Sequence, residues 1–550
     1  MQKYIFLIIG LTFFFYNLSA QPGGDLEGDK VDVVKTFEAQ LEETSKVDLA
    51  PQLPPIDTST KDQIFSIPVK NFAMEYPAPR IRPLSMKPVK FMDAYNAYLK
   101  AGAGLPGTFY GEGSFNKFID KKYEIGGQIK HHSANFSNDE VENQRFRDTE
   151  VGLGGTYFFP QGFALKGKLG FESDKVHYYG YNFDPSLTDT IDVDKDDVKQ
   201  VFNTFDIGLD FFNSVKLAGD INYNVGIDYY SLNDNFSAGE DGFALDIRGT
   251  KWIEGKHSFD LGIRTDYTTY KDTMTQKLNN IYFQPSFTFH GDRFSAKVGA
   301  NLVNSDDEFR FYPDAEVAVN IIRSDLSVFV GAKGDLQKNT FKSLSDYNPY
   351  VVSRSPGMTI QNTSYYKYYA GVKGNIKIFE YRAEVGFKQA DNLALFLLDE
   401  NDPSLRRRFN VLYDTVDIIN IGGTIRANII KNLDVVGTFG YNVYDTKNQE
   451  RAWHLPALEI NGMVTYLTME DKLRLKASVF VENGVPIPST TTEKESLNSL
   501  FDLSLGAEYW LVDNFGLFAE VNNILDNERQ RWQYYPTYGI NFLIGATARF

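Results

Sequence analysis

From about residue 94 to the last residue, hydrophobic and polar side chains alternate along the chain with a period of two. In the final stretch, Ile540, Phe542 and Ile544 fall on one face, whereas Asn541 and Thr547 fall on the other. Successive side chains of a β-strand point to opposite faces, so the pattern predicts strands with one apolar face. Each segment alone fits either a soluble sheet or a sheet whose apolar face meets lipid.

The connections between the predicted strands separate these two alternatives. Short connections such as 160–162, 291–292 and 431–432 interleave strictly with a second, mostly long set. Tight periplasmic turns and long outer loops alternate in this way in outer-membrane barrels, whereas a sandwich has no reason to sort its loops by length. The connections predicted to be long or to lie outside are 105–107, 135–144, 182–197, 231–241, 270–277, 304–309, 339–362, 391–413, 445–454, 484–498 and 526–534.

The segment count fixes the predicted fold class. It gives about 22 strands, an even number, as single-chain bacterial barrels require. We therefore predict an all-β protein whose residues 91–550 form a transmembrane antiparallel β-barrel of the outer-membrane type. Aromatic residues make up 15% of the chain, and the two interfacial girdles of such a barrel would hold many of them. The predicted location is the outer membrane of a Gram-negative bacterium, with outer-membrane lipid as the first partner.

Residues 1–20 have the composition of a signal peptide. Lys3 supplies a positive charge, residues 4–15 are apolar, and Ala20 offers a small residue at the cleavage site. The alternative is an N-terminal anchor helix, but the apolar run is short and no stop-transfer charges follow it. We expect the mature protein to begin at Gln21, outside the cytoplasm.

Residues 21–90 differ in composition from everything that follows. They are rich in proline and show little periodicity, which is typical of an extended segment without its own core. We predict that this segment is periplasmic or lies in the lumen, where its basic residues would pair with inward-facing carboxylates. The basic residues are Arg80, Arg82, Lys87 and Lys90, and the candidate carboxylates are Glu380, Glu384, Glu482, Glu508 and Glu520.

Composition and motifs narrow the range of functions. The absence of cysteine removes disulfides, thiolate metal sites and cysteine catalysis. A net charge of −16 argues against a nucleic-acid partner, which would need a basic stripe. The sequence contains no nucleophile elbow, zinc-ligand spacing or phosphate-binding loop. We therefore predict neither an enzyme nor a cofactor-binding protein.

The last part of the chain resembles the C-terminal end of the TonB-dependent receptor family. The resemblance rests on the stretch 521–525 (VNNIL), on Tyr538 and Gly539, and on Phe542 and Phe550. It implies a 22-stranded barrel used for energised uptake of large nutrients. It also implies that Phe542 and the aromatic C-terminus Phe550 form the signal read by the outer-membrane assembly machinery. The family fills its barrel with a folded N-terminal plug, and the segment 21–90 is too short to be one.

Two further segments are candidate sites. Val31, Asp32, Val33 and Val34 resemble the short segment through which the family contacts TonB, which would imply an energising inner-membrane partner of TonB type; the alternative is an ordinary extended linker. In an outer loop, Arg406, Arg407 and Arg408 could contact an anionic ligand or a lipid phosphate, or could form a solvated loop edge. The predicted function is transport of an unidentified solute. The alternative is a non-transporting scaffold or partner subunit of an envelope complex.

Overall fold

The computed structural model describes residues 95–137, 141–184, 193–215, 219–400, 406–430, 432–488 and 495–550. The predicted signal peptide 1–20 and the Pro-rich segment 21–90 lie outside the described residues, so both assignments stay predictions. Within the described part of the chain, no helix is long and apolar enough to cross a membrane.

Twenty-two antiparallel strands form one sheet, which confirms the predicted fold class and strand count. Two further short strands, β22 and β23, pair with each other in the last outer loop. The strands are β1 Ala97–Leu105, β2 Thr108–Ile119, β3 Tyr123–Phe136, β4 Gln144–Phe158, β5 Phe163–His177, β6 Lys199–Asn213, β7 Ile221–Asp234, β8 Gly239–Ile253, β9 His257–Lys271, β10 Thr275–His290, β11 Phe294–Ser305, β12 Glu308–Ile322, β13 Leu326–Asn339, β14 Gln361–Ile376, β15 Phe379–Leu398, β16 Phe409–Ile430, β17 Leu433–Thr446, β18 Leu458–Thr468, β19 Leu473–Asn483, β20 Leu500–Val512, β21 Phe515–Asn522, β22 Gln530–Trp532, β23 Tyr535–Pro536 and β24 Asn541–Arg549.

The sheet closes where the first strand meets the last. Strand β1 pairs with β2 on one side and with β24 on the other, in a register that runs from Tyr98 opposite Arg549 to Leu105 opposite Phe542. Closure leaves no strand edge, so the backbone N–H and C=O groups of the sheet can find their partners inside the protein. A membrane-spanning sheet requires this, because the hydrocarbon core offers no water to replace a missing partner.

Large apolar side chains cover the outside of the barrel. Leu99 on β1, Leu153 on β4, Val330 on β13 and Ile544 on β24 are each more than half exposed, and their neighbours along the strand point inward. A soluble sheet buries its apolar face, whereas here the exposed face is the apolar one. The barrel is therefore an outer-membrane protein with its hydrophobic surface toward lipid, as the alternation predicted.

Outer loops and inner turns do not alternate in length as strictly as predicted, because four outer connections are shorter than expected. The connections predicted over 270–277 and 304–309 are reduced to 272–274 and 306–307. The connection predicted over 231–241 is reduced to 235–238, and the one predicted over 391–413 is reduced to 399–408. In the last case the uninterrupted apolar run 393–398 (LALFLL) is part of β15, and β15 and β16 are 20 and 22 residues long. A span needs only about 10 residues, so this hairpin rises well above the membrane.

Candidate functional site at the outer mouth of the barrel

The outer loops and the outer ends of the strands pack into one apolar cluster, which we call the outer-loop core. Strands β5 and β16 lie on opposite sides of the 22-stranded barrel. Tyr178 directly follows β5 and Phe409 begins β16, and both belong to the cluster, which therefore spans the outer mouth. Its buried members are Tyr178, Tyr179, Tyr181, Val198, Phe202, Leu232, Ala238, Tyr270, Leu278, Phe341, Leu344, Val351, Met358, Ile360, Phe396, Leu398, Phe409, Val411, Trp532 and Tyr535.

The hairpin of β22 and β23 supplies the centre of the outer-loop core. The Trp532 ring lies 5.3 Å from the ring of Phe396 and 5.5 Å from that of Phe409, both in edge-to-face geometry. The Tyr535 ring stacks on Tyr350 with centroids 3.7 Å apart, and its hydroxyl donates to the carbonyl oxygen of Arg406 at 2.6 Å. Aromatic pairs in these geometries add to the energy of burial, so the hairpin joins loops from several sides of the mouth.

His454, in the loop between β17 and β18, completes the packing around Trp532. Its imidazole lies nearly parallel to the indole, with ring centroids 5.5 Å apart, and is fully buried. Its Nδ1 lies 2.6 Å from the carbonyl oxygen of Phe396, which indicates that Nδ1 carries the proton. Burial lowers the pKa of His454 to about 3, so the ring is neutral at physiological pH and packs as an aromatic group.

A short helix, α1 (Phe341–Tyr347), lies in the loop between β13 and β14. Thr340 caps its N-terminus by accepting a hydrogen bond from the backbone N–H of Ser343 at 3.1 Å. The carboxylate of Glu240 on β8 accepts the backbone N–H groups of Phe341 at 2.6 Å and of Lys342 at 3.1 Å. These backbone groups have no partner within a helix, so the carboxylate fixes α1 to β8 of the barrel wall and holds Phe341 in the core.

Lys342 extends from α1 into an acidic group on the inner wall. Its ammonium donates to Glu172 of β5 at 3.0 Å and to Asp346, one turn further along α1, at 3.1 Å. Glu172, Asp174 and Asp346 lie close enough together to hold a metal ion in principle. The ammonium of Lys342 already supplies a positive charge there, so we assign this cluster to anchoring of the helix.

Arg531 fixes the hairpin on the other side of the mouth. Its guanidinium lies 3.2 Å from the carboxylate of Glu482 at the outer end of β19, and it donates to the hydroxyl of Tyr347 at 3.0 Å. It also lies over the Trp532 ring at 4.5 Å. The outer-loop core is thus enclosed by charged contacts that reach the barrel wall through Glu240, Glu172 and Glu482.

The structure places Arg406, Arg407 and Arg408 in different environments. Arg407 forms a largely buried ion pair with Asp184. Arg406 donates to the carbonyl oxygen of Asp197 at 2.9 Å and lies over the ring of Phe236 at 4.6 Å. The carbonyl oxygen of Arg408 accepts from the N–H of Asp399 at 2.8 Å. The guanidinium groups of Arg406 and Arg407 therefore have different partners, and anion binding by this segment stays a prediction.

The inner wall is lined with ion pairs, most of which join strands that are adjacent or separated by one strand in the sheet. Four of the five carboxylates that we proposed as partners for the Pro-rich segment already pair with basic groups of the barrel: Glu384 with Lys367 and Arg382, Glu482 with Arg531, Glu508 with Arg474, and Glu520 with Lys100. Residues 80–90 lie outside the described residues, so their pairing with these carboxylates stays a prediction. Further pairs on this wall are Lys130–Glu150, Lys168–Asp228, Lys297–Asp314 and Lys373–Glu316.

The other predicted sites lie at or beyond the ends of the described barrel. Val31, Asp32, Val33 and Val34 lie outside the described residues, so their contact with TonB stays a prediction. Phe542 lies on the lipid face opposite Leu105, and Phe550 is 60% exposed at the end of the chain. The carbonyl oxygen of Phe550 accepts from the N–H of Asn96 at 2.6 Å, and its own N–H donates to Ala97 at 2.9 Å. The last residue is therefore bonded to the start of the first strand.

If Phe550 is part of an assembly signal, Phe550→Ala should lower the amount of folded protein in the outer membrane several-fold. Refolding of the purified chain into detergent should be unaffected, because the exposed ring contributes little to the folded state. Heat-modified mobility on gels and cell fractionation would measure both quantities. The control is Phe294→Ala, which removes a lipid-facing ring at the start of β11. Equal outer-membrane levels for the two variants would argue against the signal.

The closed 22-stranded sheet and its charged lumen define an outer-membrane β-barrel. No protein-family model matches the sequence, and no curated protein sequence matches it. Among solved structures, the ferric-catecholate import receptor Fiu from Escherichia coli K12 is similar with a TM-score of 0.62 at 9% identity, over 84% of this chain and 82% of that chain. The ferripyoverdine receptor of Pseudomonas aeruginosa gives a TM-score of 0.61 at 11% identity, over 84% and 72% of the two chains.

A third similar structure is the FrpB iron transporter from Neisseria meningitidis, with a TM-score of 0.62 at 8% identity over 84% of this chain and 82% of that chain. Identities this low establish a shared barrel fold. The resemblance to TonB-dependent receptors predicted from the C-terminal residues is thus confirmed for the barrel.

Proposed function

We propose that the protein is a TonB-dependent-receptor-like transporter that moves a solute through its lumen across the outer membrane. The observation that carries the proposal is a 22-stranded barrel with a charge-lined lumen beneath an ordered, multi-loop cap. A barrel of this size is wide enough for a large solute and must be occluded to prevent leakage. The outer-loop core is one element of such an occlusion.

The solute is not specified by these residues. The similar structures are described as receptors for ferric-catecholate and ferripyoverdine, which are iron chelates. Iron chelates are therefore the first solutes to test, and other large nutrients follow. The candidate energising contact is the segment 31–34, which we propose acts with an inner-membrane partner of TonB type.

Growth of a deletion strain would test the proposed transport. The strain should grow more slowly than its parent on at least one limiting nutrient in a panel that includes ferric chelates, oligosaccharides and peptides. The intact gene should restore growth, whereas a gene lacking codons 31–34 should not. Normal growth on the whole panel would contradict transport, and full rescue by the 31–34 deletion would contradict an energised mechanism only.

A second candidate is a scaffold that holds other envelope proteins. The packed outer-loop core favours it, because an ordered loop surface can serve as a docking surface without any passage of solute. Affinity purification from the outer membrane separates the two proposals. A stable stoichiometric partner together with unaltered growth would support the scaffold.

A further inference from the structure

Outside the barrel, strands β4, β5 and β6 carry a group of basic residues directly above the lipid-facing belt. We call Arg145, Arg147, Lys175 and Lys199 the basic strip. Leu153 and Leu169 are directly opposite each other on β4 and β5 and are exposed to lipid. Moving outward on the same face, the next opposed pairs are Val151–Phe171, Thr149–Ser173 and Arg147–Lys175. The outward face therefore changes from apolar to small polar and then to cationic.

The spacing places the basic strip at the level of the lipid headgroups. Opposed pairs on one face recur every second residue, or about 7 Å along the strand, and strand tilt of about 40° reduces this to roughly 5 Å in height. Arg147 and Lys175 thus begin about 10 Å above Val151 and Phe171. Long basic side chains on such a wall can bend toward the interface, within reach of the headgroup layer.

Three residues of the basic strip, Arg145, Arg147 and Lys175, have no carboxylate of the described residues paired with them. Arg147 and Lys175 are directly opposite each other on neighbouring strands, an arrangement that destabilises a sheet through repulsion. Among the described residues, no carboxylate forms an ion pair with Arg145, Arg147 or Lys175. The Nε of Arg145 is enclosed and has no hydrogen-bond partner in the same part of the chain. Of the four residues of the basic strip, Lys199 alone forms an ion pair within the described part of the chain, with Asp196 at 2.9 Å.

Other basic residues at the outer rim are not arranged in this way. Lys271 at the end of β9 has the carboxylate of Asp241 within 3.5 Å, and Lys277 on β10 lies opposite Thr269 rather than another cation. In a chain of net charge −16, the adjacent cations Arg147 and Lys175, which form no ion pair with a described carboxylate, are a local exception. An external anion would remove the repulsion.

We propose that the basic strip binds the phosphate groups of a phosphorylated lipid of the outer leaflet, with Arg147 and Lys175 as its principal contacts. Such a lipid fits both parts of the wall, because its acyl chains would lie along Leu153, Leu169 and Phe171 while its phosphate meets the cations above. The planar guanidinium of arginine can hold two phosphate oxygens at once, and the ammonium of lysine adds a second positive charge. A free phosphate ion would use only the upper half of this surface.

The test uses the full mature chain purified in detergent and bisphosphorylated lipid A as the probe. Native mass spectrometry would give the fraction of protein that retains the lipid during a concentration series. The double variant Arg147→Ala, Lys175→Ala should bind about tenfold more weakly than the unmodified protein, because it removes two charge-assisted contacts. The matched control Lys271→Ala, Lys277→Ala removes the same charge from the rim elsewhere and should bind like the unmodified protein.

Two further arms identify the source of the phosphate. Lipid A from which both phosphates have been removed should bind the unmodified protein as weakly as bisphosphorylated lipid A binds the double variant. Inorganic phosphate at millimolar concentration should not displace the bound lipid. Equal binding by the double variant and the control, no dependence on the lipid phosphates, or displacement by inorganic phosphate would each overturn the proposal. Heat-modified gel mobility verifies that all variants are folded.

Discussion

The variant Trp532→Ala should loosen the outer-loop core and leave the barrel intact. Trp532 is 2% exposed and packs against the rings of Phe396, Phe409 and His454. Removing a buried tryptophan side chain costs about 3–5 kcal/mol, because apolar burial is lost and a cavity remains. The strands should not respond, because their hydrogen bonds and lipid contacts do not involve this ring.

Hydrogen exchange measured by mass spectrometry would test this expectation. Backbone amides of α1 and of the segment 530–536 should lose protection by at least about a hundredfold, since each 1.4 kcal/mol of local stability corresponds to a factor of ten. Amides in the membrane-spanning strands should exchange as before. Loss of protection throughout the barrel would contradict a separate outer-loop core.

The control for this experiment is Trp252→Ala. Trp252 lies near the inner end of β8, is 37% exposed and has no contact with the outer-loop core. The same change of residue type should leave the exchange of α1 and of residues 530–536 unaltered. If both tryptophan variants loosen the loops to the same degree, the loosening does not depend on the position of Trp532. The proposal that the hairpin is the centre of the outer-loop core would then be wrong.

The barrel was predictable from the sequence because its signal is local and repeated. Apolar and polar side chains alternate with a period of two within each strand, and a turn or loop follows each strand. The same local pattern therefore recurs many times along the chain. The ends of β15 and β16 were less predictable, because residues 393–398 are an uninterrupted apolar run in which the period of two is absent. Strand pairing there adds hydrogen bonds in water as it does in lipid.

The outer-loop core was not predictable, because its contacts join residues that are far apart in sequence. Tyr179 and Tyr535 lie 5.1 Å apart by ring centroid although 356 positions separate them. The one signal available was the density of aromatic residues in the loops, including 178–181 and 532–535. The same limit applies to the lumen, where the partner of Glu520 is Lys100 on the first strand. Only the register of the closed sheet brings such pairs together.

The closing seam between β1 and β24 depends on glycine, and Gly104→Ala should prevent its formation. A Cβ added at Gly104 would overlap the backbone carbonyl of Phe542 and lie 3.0 Å from the Cα of Leu543. Gly545 is similarly close to the backbone of Ala101 and Gly102. The obstructing atoms are backbone atoms of the paired strand, so no side-chain rotation relieves the overlap, and the two strands must separate.

Separation at this point is costly because the seam lies in the membrane. Each backbone group left without a partner in hydrocarbon costs several kcal/mol, so a seam opened over a few residues would offset much of the stability of the barrel. We expect the amount of folded Gly104→Ala protein in the outer membrane to fall at least about tenfold. Heat-modified mobility of the protein in the outer-membrane fraction would measure this amount. The missing protein should be found as degraded chain or as unfolded chain in the periplasm.

The variant Gly440→Ala is the matched control for the seam. Gly440 lies within β17, and a Cβ added there would meet no atom within 4 Å. Both variants add one methyl group to a strand glycine and reduce the conformational freedom of the unfolded chain to the same degree. They differ in whether the neighbouring strand leaves room. Similar levels of folded protein for the two variants would mean that the seam accommodates a side chain at position 104. The close approach of β1 and β24 at this glycine would then not be required for closure of the barrel.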